Sequence, residues 1–141
     1  VIVLALRVAL GVFFVWSGAV KLLDVNAFVT AVGNFQIVFP PVDALVAYFL
    51  PWLEVFAGLA LMAGVLWRGA LWLILAQLVV FAGVSLSAVV RGLNINCGCF
   101  GSTSTEPTNW DWHFAILAVL AVVTVALLWD GRRYSREERV G

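Results

Sequence analysis

Cys97 and Cys99 are the two cysteines of the chain, and a single glycine, Gly98, separates them. A pair at this spacing closes a very small ring. An extended chain would hold the two Cα atoms near the upper limit for a disulfide, about 6.8 Å. Gly98 lets the backbone fold inward, because glycine tolerates dihedrals that other residues avoid. The bridge is then strained, and strained disulfides exchange more readily than relaxed ones. So short a loop also gives little entropic stabilisation, since that term grows with loop length. A redox-active pair fits these properties better than a staple. Three other readings stay open: inert unpaired thiols, a purely structural bridge, and half of a metal site. A structural zinc site takes four ligands. The chain offers two cysteines and one histidine, His113, so no metal is expected.

His113 follows the cysteine loop. It can help a thiolate form or move a proton during exchange; the alternative is an interfacial polar residue. Arg7, Lys21, Glu54 and Gln77 stand inside apolar stretches, where an ionisable group is costly and is a functional candidate by default. Lys21 lies near a segment end, from which its side chain can snorkel to the interface, and anchoring is the favoured reading. Glu54 lies about ten residues into its segment, roughly 15 Å deep at 1.5 Å per residue. It can take up protons or pair with Arg7 or Lys21. Pro51, one turn earlier, should kink that helix. Gly11, Gly18, Gly58, Gly64 and Gly83 read as positions where helices approach closely.

The elements that must position these residues follow from composition. Of 141 residues, 64% are hydrophobic and 11% charged, and the mean hydropathy is +1.07. Average domains are about 45–50% apolar and about 25% charged, so the reading is an integral membrane protein of one domain. The formal net charge of +0 argues against nucleic acid as a partner. A spanning helix needs roughly 20 apolar residues, and four segments qualify: 1–23, 44–66, 70–90 and 112–129. Asp43 and Asp111 are the expected N-caps of the second and fourth. The tight turn Trp67-Arg68-Gly69 makes the second and third antiparallel neighbours. The first run is too long for a signal-peptide core and reads as a retained helix. The expected fold is all-α: a four-transmembrane-helix bundle with a short outer-surface helix between helices 1 and 2, where Phe28, Val32 and Phe35 recur at helical spacing.

Basic residues set the expected orientation. Arg132, Arg133, Arg136 and Arg139 fall in the tail 130–141, and Arg68 falls in the turn on the same side. The termini are then cytoplasmic and the cysteine loop 92–111 faces outward, the side on which disulfides persist. Trp110 and Trp112 fall at the outer boundary, and Trp67, Trp72 and Trp129 at the inner one. They read as interfacial anchors, with a ligand platform as the alternative.

The order of these motifs resembles a known family. Arg7, Phe13-Phe14, Ser17-Gly18, Lys21-Leu22 and Asp24 are similar to the first helix of DoxX-like membrane proteins. Leu50-Pro51-Trp52-Leu53-Glu54 with Gly58 resembles their second helix, and Cys97-Gly98-Cys99-Phe100-Gly101 resembles the MauE branch, the methylamine utilisation proteins. The resemblance covers nearly the whole chain. It implies a part in maturing the disulfide-rich small subunit of methylamine dehydrogenase beside a thioredoxin-like partner. The DoxX relatives add quinone or thiol redox at the membrane. The four-helix plan with outward cysteines is also similar to vitamin K epoxide reductase and to quinone-linked disulfide-forming proteins, by architecture only. One position departs from the pattern: His113-Phe114 stand where an arginine-led pair is expected, so that arginine's role is either missing here or taken by His113.

These readings combine into one expectation: a bacterial inner-membrane thiol–disulfide oxidoreductase. Cys97 and Cys99 cycle between dithiol and disulfide. Cys99 is the preferred sulfur for an extracytoplasmic thioredoxin-like or substrate protein. Electrons pass to or from a membrane quinone between the helix ends, with Glu54, Phe100, Trp110 and Trp112 as candidate neighbours and lipid around the bundle. A homo-oligomer stays open. The alternatives are a non-enzymatic subunit that docks a redox partner and a small-molecule carrier centred on Glu54 with Arg7. Four helices without repeats or broken pairs disfavour the carrier.

Overall fold

The computed structural model describes residues 1–93, 95 and 109–140; Cys97, Gly98, Cys99 and Phe100 lie outside them. Among the described residues the chain forms α1 (Ile2–Leu23), α2 (Val25–Asn34), α3 (Val42–Ala63), α4 (Trp67–Val90) and α5 (Trp110–Val140), with no strand. The helices α1, α3 and α4 and the stretch Trp110–Arg133 of α5 are long and apolar enough to cross a membrane. The fold is an all-α bundle of four such helices, because a bilayer core about 30 Å thick admits only backbone that satisfies its own hydrogen bonds.

The short helix between the first two spans is α2. Asp24 caps it, its side chain accepting from the Ala27 N–H at 3.0 Å. Phe28 and Ala31 bury against Ala47 of α3. Phe35, the residue after α2, packs on Ala88 of α4 beside Trp110.

Several element ends differ from the sequence expectation. The tight turn is Gly64-Val65-Leu66, with Gly64 at φ 74° and Leu66 at φ 49°. Glycine enters that left-handed region without a Cβ penalty, so the chain reverses there, and Trp67-Arg68-Gly69 open α4. Asp43 and Asp111 sit inside the first turns of α3 and α5 rather than at their caps. Asn109 takes the capping role at α5, its side-chain oxygen accepting from the Trp112 N–H at 3.2 Å. Helix α3 continues through Pro51, at the cost of the hydrogen bond that a proline nitrogen cannot donate. Helix α5 runs on to Val140 and carries the basic tail.

Contacts at both ends make the spans alternate in direction. At one end Arg7 of α1 lies over Trp67 at the start of α4, and Trp67 packs on Gly131 of α5. At the other, Arg91 donates to the Phe35 carbonyl, and Trp110 joins Phe35 and Ala88. The most extensive pairing is α1 with α3. A Cβ at Gly58 would stand 2.5 Å from the Gly11 carbonyl oxygen, and one at Gly18 would stand 2.6 Å from the Pro51 carbonyl oxygen. Absence of a side chain at these positions is what lets the two backbones touch, and such packing replaces the hydrophobic drive that lipid cannot supply. Gly83 does not share this role: among the described residues nothing lies within 4 Å of its Cβ position. The core beside this contact joins Leu10, Phe14, Leu61, Leu71, Ile74 and Leu127.

Candidate functional site

The approach of α1 to α3 at Gly18 puts that position 3.2 Å from the Glu54 Cβ. One turn further along α1, Lys21 meets the carboxylate. Its Nζ lies 2.8 Å from both Glu54 oxygens and 2.9 Å from the Ser17 Oγ. Both charged side chains are 1% exposed. Phe28 of α2 and Phe81 of α4 flank the ammonium, each ring centroid 5.6 Å away, close enough for cation–π attraction. An ammonium has three protons, and Glu54 with Ser17 accounts for them.

Lys21 therefore does not snorkel to the interface. The glycine contact turns it inward and α2 covers it from outside. Of the two partners considered for Glu54, Lys21 is the one it has. Arg7 is four turns away on α1, roughly 21 Å at 1.5 Å per residue, with its Cζ 5.8 Å from the Trp67 ring centre. Glu54 is closed in by this pairing, which disfavours a carrier centred on it. Gln77 of α4 is 6% exposed, and its amide nitrogen and oxygen have no hydrogen-bond partner among the described residues.

A second polar pair joins α4 to α5. Ser85 Oγ and His113 Nε2 are 2.8 Å apart, and both residues are 1% exposed. The rings of Trp110 and Phe114 stand steeply to the imidazole, at 86° and 71°, each centroid 5.8 Å away. His113 is thus a buried residue of the first turn of α5. Trp110 belongs to this cluster. Trp112 does not: it is 68% exposed and borders Ala115, Ile116 and Val119 on the outside of α5.

Beside these two pairs lies a partly open cavity of about 270 Å³, lined by α2, α3, α4 and the residues that follow α2. Phe28, Phe35, Leu50, Phe81, Val84 and Ser85 form much of its wall. Two of them, Phe28 and Phe81, are the rings that flank Lys21. Ser85, the polar residue of the wall, is the one held by His113. The cysteine loop begins and ends beside this cavity. Leu93, Ile95 and Trp110 pack against Phe35 and Ala88, so both stems of the loop are pinned there. Arg91 fastens the same corner, donating to the Phe35 carbonyl and, at 3.3 Å, to the Ser87 carbonyl.

Sequence reasoning missed the two serines. Ser17 left a usable signal, since it stands four residues before Lys21 on one helix face. Ser85 left none, because its partner is 28 residues away and meets it only when α4 and α5 pack. The arrangement offers a loop carrying two thiols, a buried imidazole–hydroxyl pair between the stems of that loop, and an apolar cavity of about 270 Å³ beside it.

Comparison with known proteins fits this architecture. The family profile of "Methylamine utilisation protein MauE" matches residues 1–130. The chain is 32% identical over 124 residues to "Methylamine utilization protein MauE" of Paracoccus denitrificans, a match covering 87% of this chain and 65% of that protein. The chain therefore spans a little under two thirds of that relative's length. No solved structure matches it. With a family match that runs over residues 1–130, through all four apolar spans and the cysteine loop, the chain belongs to the MauE family.

Proposed function

We propose that this protein is a membrane thiol–disulfide oxidoreductase that exchanges electrons between an extracytoplasmic thioredoxin-like or substrate protein and a membrane quinone through Cys97 and Cys99. The observation that carries this reading is the buried Ser85–His113 pair, set where both stems of the cysteine loop are pinned. A base at that place can take a proton from a thiol and return it. By analogy with the named relative, the pathway served is methylamine utilisation.

The exchange balances as follows. Two thiols of the partner become a disulfide while the Cys97–Cys99 bridge opens to two thiols. Cys97 and Cys99 then re-form their S–S bond and release two electrons and two protons, which reduce a quinone to the quinol. The reverse order reduces the partner instead. Each sulfur is needed, so Cys97→Ser and Cys99→Ser should each abolish the change in thiol count when ubiquinone-1 is added to the reduced protein. A wild type whose thiol count stays constant under that treatment removes the quinone step. A reduction potential below about −300 mV, where structural disulfides fall, would count against the redox reading altogether.

The same reading places the protein in a bacterial inner membrane with termini inside and the cysteine loop outside, supported by Arg132 and Arg133 at the far end of α5 from that loop. A membrane-impermeant maleimide should then label the reduced cysteines of intact spheroplasts from outside. Labelling confined to inverted vesicles reverses the orientation.

A further inference from the structure

We propose that Arg7 takes the phosphate of an anionic phospholipid as its counter-ion, in a site where α1, α4 and α5 meet around Trp67. The site lies at the opposite end of the bundle from Arg91 and Trp110 and is independent of the thiol chemistry proposed above.

Charge balance is the first argument. A charge inside an apolar span is costly unless something pairs with it. Lys21 has Glu54. Arg7 has no such partner: among the described residues no carboxylate meets it, and its buried Nε has no hydrogen-bond partner. What it does have is a ring face, the Trp67 centroid 5.8 Å from its Cζ. Cation–π attraction offsets part of the desolvation and leaves the positive charge in place. The terminal nitrogens of a guanidinium match phosphate oxygens two at a time.

Depth is the second argument. Arg7 stands five residues after Ile2, where α1 begins, so about 8 Å from the helix end at 1.5 Å per residue. A long basic side chain spans most of that distance to the headgroups. The Gly64 contact fixes its direction. Nη2 lies 3.3 Å from the Gly64 Cβ position, in the turn that joins α3 to α4, so the guanidinium points to the end of the bundle. The third argument is the neighbourhood. The Gly131 Cβ position is 2.6 Å from the Trp67 ring, which brings α5 to the same place, and Arg132 follows. Among the described side chains this end carries Arg7, Arg68, Arg132 and Arg133 against one carboxylate, Asp130. Basic groups between helix ends suit an anionic headgroup and repel the ammonium of a choline one. No side chain caps α4, so the partial positive charge of its first turn adds to that field.

The test is binding of dioleoylphosphatidylglycerol to the full chain in dodecylmaltoside, read by native mass spectrometry, with dioleoylphosphatidylcholine as the comparison lipid. The wild type should bind the glycerol lipid about tenfold more tightly than the choline lipid. Arg7→Gln should weaken that binding about tenfold, through loss of a bidentate charged contact. Arg7→Lys keeps the charge without the fork and should weaken it about threefold. Arg132→Gln should weaken it about threefold to fivefold. That residue is exposed, so it carries the test if the Arg7 variants do not fold; wild-type binding by Arg132→Gln would then overturn the proposal. Arg133→Gln is the control. It removes the same charge from the same end, but it lies two residues past Gly131, about 200° round α5 at 3.6 residues per turn and away from Trp67. It should bind within about twofold of the wild type. Equal losses from Arg7→Gln and Arg133→Gln would mean attraction to charge spread over the whole end, and the site falls. Equal binding of the two lipids by the wild type would also overturn it. Displacement of the lipid by millimolar inorganic phosphate would make this a free-anion site and overturn the lipid assignment.

Discussion

Glu54→Leu, made alone, should destabilise the bundle by about 3–5 kcal/mol, and the double variant Lys21→Met/Glu54→Leu should recover most of that loss. The asymmetry follows from burial. With Glu54 gone, Lys21 keeps only the Ser17 hydroxyl and two ring faces, which do not replace a carboxylate at 2.8 Å. It cannot swing to the interface, because Phe28 of α2 lies over it. An uncompensated ammonium in an apolar interior is the costly state, whereas two apolar side chains of similar volume cost little. Unfolding in mixed micelles with increasing sodium dodecyl sulfate, followed by helical circular dichroism, gives the three stabilities. Their double-mutant cycle gives the coupling. A single variant as stable as the wild type would mean that water or detergent reaches the pair, against the 1% exposure of both side chains.

The second large effect is expected at Gly58. Its Cβ position lies 2.5 Å from the Gly11 carbonyl oxygen and 2.9 Å from the Val15 nitrogen. Both are backbone atoms, so no side chain can rotate out of the way and the helices must separate. Overpacking costs about 1–3 kcal/mol, occasionally more. Gly58→Ala should fall in that range and Gly58→Leu beyond it. Because the same helix contact seats Lys21 against Glu54, the loss extends past the glycine itself. Gly83→Ala is the matched control. Among the described residues nothing meets its Cβ position within 4 Å, and replacing a helical glycine with alanine gains about 0.5–1 kcal/mol. The micelle titration that ranks the Glu54 variants ranks these as well. Equal behaviour of Gly58→Ala and Gly83→Ala would deny the α1–α3 contact its role.

The spans were legible in the sequence because bilayer thickness sets the length of an apolar run, and α2 because Phe28 and Val32 repeat at one helix face. Turn placement was less so. Gly64 and Gly69 look alike in sequence, and only the reversal of α3 onto α4 decides which takes the left-handed conformation. Lys21 was misread because distance from a helix end predicts snorkelling only when nothing covers the side chain; here α2 does. The partner of Glu54 depends on the register of α1 against α3, which the glycines set in three dimensions. The cavity left no sequence trace at all. Its walls at Phe28, Leu50 and Phe81 come from three helices, and each residue alone is an ordinary apolar one.

The buried ion pair also orders events during synthesis. Lys21 and Glu54 are 33 residues apart, and a ribosome adding about 5–20 residues per second supplies the acid roughly 2–7 s after the base. For that interval Lys21, in the last turn of α1, has no carboxylate to meet, and its ammonium can stay at the lipid headgroups. The inward turn of Lys21 therefore waits for α3, which supplies its acid. Forming the pair then fixes the register of α1 against α3.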